Sequence, residues 1–129
     1  MSETGKPEAS CCGVAPKLIF ACSGAADVGQ ISDLAARRLS ADGIGKMFCL
    51  AGIGGRVSGI MKTTEAASKI LAIDGCPLNC AGRCLEEAGF TEFEHLELVD
   101  LDMTKGQTDV CDEAVSQVAK VAAEKLTVC

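Results

Sequence analysis

Apolar residues recur along the chain in two rhythms that alternate. The run Lys17-Leu18-Ile19-Phe20-Ala21-Cys22 is short, continuous and bounded by Pro16 and Ser23-Gly24, the mark of a buried strand. After it Val28, Ile31, Leu34, Ala35 and Leu39 fall at helical spacing, with Arg37 and Arg38 near the end and the turn Ala41-Asp42-Gly43 behind them. Lys46 to Ala51 reads as a second strand, breaking into Gly52-Ile53-Gly54-Gly55, where a weaker helix carrying Val57, Ile60, Met61 and Ala67 begins. A third strand, Lys69 to Ile73, ends at Asp74-Gly75. The helix after it starts at Cys76-Pro77, proline suiting a first helical turn. A last strand lies within Glu94 to Leu101, and a long helix follows with Val110, Ala114, Val115, Val118, Val121, Ala122 and Leu126 on one stripe.

Strand and helix thus alternate four times with short connections. That order predicts a three-layer α/β domain, a four-stranded mostly parallel sheet between helices, with right-handed crossovers. The first three strands are apolar enough for burial on both faces. The fourth, with His95, Glu97 and Val99 among its alternating positions, suits an edge. The expected strand order is 2-1-3-4, as in flavodoxin-like folds. Residues 1–15 show no periodicity and read as a flexible arm with the vicinal pair Cys11 and Cys12; residues 16–129 form a single domain.

Composition narrows the function. The chain has 129 residues, 48% hydrophobic, enough to build one core. Its net charge of −6 and its lack of Trp and Tyr argue against a nucleic-acid partner. No apolar run reaches the roughly 20 residues of a membrane span, and the polar opening is not a secretory signal. A cytoplasmic protein is expected. Charge is uneven: nine basic and seven acidic side chains precede residue 86, three and eleven follow. The acidic C-terminal half is a solvated face or a docking surface for a basic protein partner.

Sulfur is the chemical anomaly. Nine cysteines stand in a chain that reads as cytoplasmic, where thiols stay reduced and metal or redox chemistry is the stronger reading over disulfides. Cys22 closes the first predicted strand, Cys49 lies near the end of the second, and Cys76 follows the third with Cys80 one helical turn on. Parallel neighbours stand about 4.8 Å apart and point their carboxyl ends the same way. Topology therefore brings these four sulfurs within reach of one tetrahedral zinc shell. The helix start adds unpaired amides that favour charge on Cys76 and Cys80. Cys84 lies deeper on a similar face and stands in reserve behind Cys80. Compensating positive charge is expected from helix amides, Arg83, Lys17 or Arg56, and Ser23 and Asn79 are placed either to donate to ligand sulfurs or to cap. The Gly52-Ile53-Gly54-Gly55-Arg56-Val57 stretch has Val57 where a dinucleotide loop needs its third glycine, so a tight turn is its better use.

Three separated stretches, Cys22-Ser23-Gly24-Ala25-Ala26-Asp27-Val28-Gly29-Gln30, Cys49-Leu50-Ala51-Gly52-Ile53-Gly54 and Ala72-Ile73-Asp74-Gly75-Cys76-Pro77-Leu78-Asn79-Cys80, resemble the DGC-domain proteins, named for the central Asp-Gly-Cys. The resemblance covers about Lys17 to Leu101 and implies zinc held by four cysteines. By motif these are Cys22, Cys49, Cys76 and Cys80, the same four that topology selects. Four thiolates leave no open position for hydrolysis, so the expectation is structural, sensing or metal-handling work without catalysis. Two alternatives stay open. One is thiol redox or sulfur handling, with Cys76 attacking and Cys80 or Cys84 resolving; the other is an iron–sulfur cluster. His95, the single histidine, is expected on solvated surface, Asp74 at the strand-to-helix turn accepting amides, and Cys111 and Cys129 apart from the site.

Overall fold

In the computed structural model, which describes residues 15–127, four strands form one parallel sheet in the order β2-β1-β3-β4. β1 is Lys17–Ala21, β2 Lys46–Met47, β3 Lys69–Asp74 and β4 Glu94–Glu97. The helices are α1 (Asp27–Ala41), α2 (Leu50–Gly54), α3 (Ser58–Glu65), α4 (Cys80–Glu87) and α5 (Asp112–Thr127). The expected strand order holds. Period-two alternation divides the two central strands between faces. Ile19, Ala21, Leu71 and Ile73 meet α1 and α5, while Leu18, Phe20, Ile70 and Ala72 meet the α2–α4 side. Both faces are covered, which completes the three layers. Among the described residues no helix is long and apolar enough to cross a membrane. The N-terminal arm with Cys11 and Cys12, and Cys129, lie outside the described residues.

Several boundaries differ from the sequence expectation. β2 has two paired residues, not six, and forms the second edge of the sheet. Phe48 still donates to Ile19 O, but Cys49 then caps a helix that begins at Leu50. A short apolar run does not distinguish strand from helix, and here the cap decided. The glycine-rich helix is two helices, parted at Arg56, which takes a left-handed φ of 58°. Its guanidinium donates to Ile53 O, Gly54 O and Glu87 O, closing the carbonyl ends of α2 and α4 together. α4 starts at Cys80, not Cys76, because Asn79 adopts φ 55°, ψ 48° and turns the chain into the helix one turn later. β4 ends at Glu97 and gives way to a 3-10 turn at Leu98–Leu101. Val110 precedes α5 instead of joining its stripe.

The carboxyl edge is built by close approach. Gly75 is buried, and a Cβ there would lie 2.7 Å from the carbonyl carbon and oxygen of Val28. The Asp-Gly-Cys turn therefore runs directly against the first turn of α1, where no larger residue fits. On the other side of that helical turn, Asp27 accepts from Gly106 N at 2.8 Å and Thr108 N at 2.9 Å, fastening the loop before α5. We expect Gly75→Ala to destabilise the fold by about 1–3 kcal/mol in chemical denaturation, the usual cost of overpacking.

The amide donors of Gly106 and then Thr108 hold the Asp27 carboxyl below its ordinary value of 3.8. A depressed carboxylate stabilises the fold above its unfolded value and ceases to do so as pH falls through the folded one. Stability and the order of the Gly106–Thr108 loop should therefore fall between pH 3.8 and the lower folded value. Asp27→Asn should remove that part of the acid dependence, measured by unfolding midpoints and by amide exchange of Gly106 and Thr108 across the range.

Candidate functional site

β1 and β3 pair in register to Ala21 opposite Ile73, and the ladder continues one step as Cys22 N donates to Ile73 O at 3.0 Å. Cys22 is thereby held beside the end of β3, and its sulfur accepts from Gly75 N at 3.3 Å. Cys49, two residues past β2, caps α2 with its sulfur, which accepts from Gly52 N at 3.3 Å. A backbone donor fixes each of these two sulfurs, as outer partners orient the ligands of metal sites.

Between α1 and the β2–α2 connection lies an open cleft of about 970 Å³, whose lining includes Cys22, Cys49, Cys84, Arg37, Met47 and Phe48. Ser23, at φ 49°, donates to Asp33 Oδ1 at 2.7 Å, and Asp33 Oδ2 accepts from Arg37 Nε at 2.7 Å. Cys84 reaches the cleft from the second turn of α4. It is half-buried under α2, where a Cβ added at Gly54 would lie 4.0 Å from its sulfur.

The four cysteines expected from sequence all lie at the carboxyl edge of the sheet, and two of them line the cleft. These two are Cys22 and Cys49; Cys76 stands on the β3–α4 connection and Cys80 opens α4, both outside the cleft lining. Cys22 and Cys84 pack against the α2–α4 apolar cluster, whereas Cys76 packs against the α1–α5 cluster. Cys80 is exposed. Among the described residues no group of three or more His, Cys, Asp or Glu side chains is arranged to hold a metal ion. The donor chemistry suits a soft ion, but binding one requires the sulfurs to be drawn together.

Asp74 organises the other half of the edge. It is 1% exposed, and its carboxylate accepts from Ala81 N at 2.7 Å and Gly82 N at 3.0 Å. The first-turn amides of α4 are thus spent on Asp74 and do not serve Cys76 or Cys80 as the sequence suggested. His95 is not simple surface either. Its Nε2 lies 2.7 Å from Asp74 Oδ2, its Nδ1 3.5 Å from Glu97 Oε2, and its ring meets Phe93 edge-on. Glu97 also accepts from Asn79 Nδ2 at 3.1 Å, so the Asn79 amide is turned to this cluster. Parity carried a signal of this cluster. His95 and Glu97 alternate on one strand and pair with Ala72 and Asp74, but register was needed to join them.

The expected charge partners lie elsewhere. Lys17 opens β1 at the opposite edge, Arg83 donates to Leu78 O, and Arg56 is committed to helix carbonyls; the cation on the cleft is Arg37. Cys111 is exposed ahead of α5, apart from the cleft as expected.

Removing the buried acceptor strands two amides and the imidazole. Asp74→Ala should cost about 2–4 kcal/mol, combining the loss of a helix cap with unpaired buried donors. Unfolding of the variant, with His95→Ala for comparison, measures it.

Comparison with known proteins follows the same residues. A model of the DGC domain matches residues 18–123, from β1 into α5. The "Anaerobic and virulence modulator AnvM" of Pseudomonas aeruginosa is 33% identical over 109 residues, covering 84% of this chain and 83% of that protein. No solved structure matches significantly.

Proposed function

As this chain belongs to the DGC-domain family, we propose that it binds zinc through cysteine thiolates at the carboxyl edge of its sheet. The role is that of a metal-sensing or metal-handling protein, not an enzyme. The observation that carries this reading is the pair Cys22 and Cys49. They are distant in sequence, delivered to one cleft by adjacent parallel strands, and each is fixed by an N–H donor to sulfur. The remaining sulfurs come from the segment Cys76, Cys80 and Cys84; the sequence motif supplies Cys76 and Cys80.

Two further observations support it. The sheet has an apolar core on both faces, so metal is not the source of folding energy here, in contrast to a zinc finger. An ion held at the edge is then free to come and go with the fold intact, as sensing requires. The relative AnvM is named a modulator, a word that suits sensing better than turnover. Thiol catalysis centred on Cys76 is less well served, because the amides that would activate it are taken by Asp74. The acidic C-terminal half remains the surface that a basic protein partner would use.

Protein purified anaerobically under reductant should carry about one equivalent of zinc, and Cys22→Ser and Cys49→Ser should lose most of it. Elemental analysis decides. Less than about half an equivalent in the wild type, or a zinc content that both variants leave unchanged, would overturn the reading.

A further inference from the structure

β4 is an edge strand. Among the described residues it pairs with β3 on one side and with no strand on the other, so alternate backbone N–H and C=O groups face outward without a ladder. Natural edges are often blunted by lysine or proline; Glu94–Glu97 has neither, and the charge it exposes is acidic. Resting on the acidic-surface reading above and not on metal, we infer that β4 is a docking edge whose occupant is an extended basic segment of a partner protein, added to the sheet as a fifth strand.

Charge selects the occupant. From Cys84 to Thr104 the chain has seven acidic side chains and no Lys or Arg. Leu96 turns toward α1 and α5, so by alternation Glu94 lies on that face, while His95 and Glu97 lie on the α4 face, where a Cβ added at Gly82 would meet the His95 ring at 3.3 Å. Glu97 is already shared with Asn79 and His95, which leaves Glu94 on the strand and Glu92 and Asp100 at its two ends as the exposed charges. Lysines or arginines of an added strand would meet carboxylates beside it and at both ends. The same charges argue against a second copy of this chain, because two β4 edges laid together would set glutamates opposite glutamates. β2, the other edge, has two paired residues and begins with Lys46, so it offers a basic segment neither length nor charge.

Geometry favours strand addition over a loose charge contact. In this mode backbone hydrogen bonds supply affinity and alternate side chains supply specificity. β4 is held ready for it: its four residues are in register with β3, from Leu71 opposite Glu94 to Asp74 opposite Glu97, and Leu96 is buried in the core. A segment of about four or five residues spans such a strand at ~3.3 Å per residue. Val99, exposed just beyond β4, offers an apolar contact at that end.

Full-length reduced protein is titrated with a synthetic capped peptide that alternates lysine with threonine. The peptide should bind at low salt, and hydrogen exchange should slow at the β4 amides that β3 leaves unpaired. Methylating the peptide's backbone nitrogens keeps its charge and removes its donors, and should weaken binding about tenfold or more. Glu94→Lys combined with Asp100→Lys, both at exposed positions, should weaken the unmethylated peptide about tenfold. A peptide alternating glutamate with threonine should not bind.

Equal binding of the methylated peptide, or β4 exchange that the peptide leaves unchanged, would overturn strand addition while the acidic surface stood as a docking face. Outer β4 amides already protected in the free protein would overturn it too, since the chain itself, or a second copy detected by sedimentation, would then hold the edge. Failure of either lysine peptide to bind at all would instead remove the acidic-surface reading, and this inference with it.

Discussion

β1 and β3 run side by side in one direction with Ala21 opposite Ile73, so the chain leaves both strands at the same edge. Cys22 and the Asp74-Gly75-Cys76 turn must share that space. The sulfur-to-amide contact between Cys22 and Gly75 is the local result of this pairing, and the cleft beside it is the larger one. Because the strands are buried on both faces, neither can shift by one residue without turning its apolar set toward the wrong layer. The register that protects the core therefore also sets which residues meet at the edge.

Each residue of the Asp-Gly-Cys turn has a separate physical task. Asp74 is a buried acceptor that starts α4 and anchors His95 from the neighbouring strand. Gly75 lets the turn pass against the backbone of Val28. Cys76 packs inward toward the α1–α5 side. The triplet thus reads first as a joint between β3, α1 and α4, and its sequence signature follows from packing as much as from sulfur chemistry.

Charge separates the edge into two halves. On the β4 side Asp74, His95, Glu97 and Asn79 form a polar cluster that satisfies the start of α4. On the β2 side three sulfurs line an open cleft whose wall also carries the Asp33–Arg37 ion pair. α2 there has five residues and β2 two, so this side of the edge has the shorter ladder.

Much of this was written in the chain. Two continuous apolar runs identified β1 and β3, alternation with helical stretches implied the parallel order, and the cysteines at strand ends followed from that order. Asp74 as an amide acceptor was legible from its place between a strand and a helix. Tertiary structure decided the rest. The left-handed turn at Asn79 moved the start of α4 to Cys80 and so set the phase of the helix, exposing Cys80 and turning Cys84 to the cleft. Register between β3 and β4 brought His95 to Asp74. Periodicity tells which residues share a face of an element; it does not tell where that element begins or what stands opposite, because those depend on backbone angles and on neighbours far along the chain.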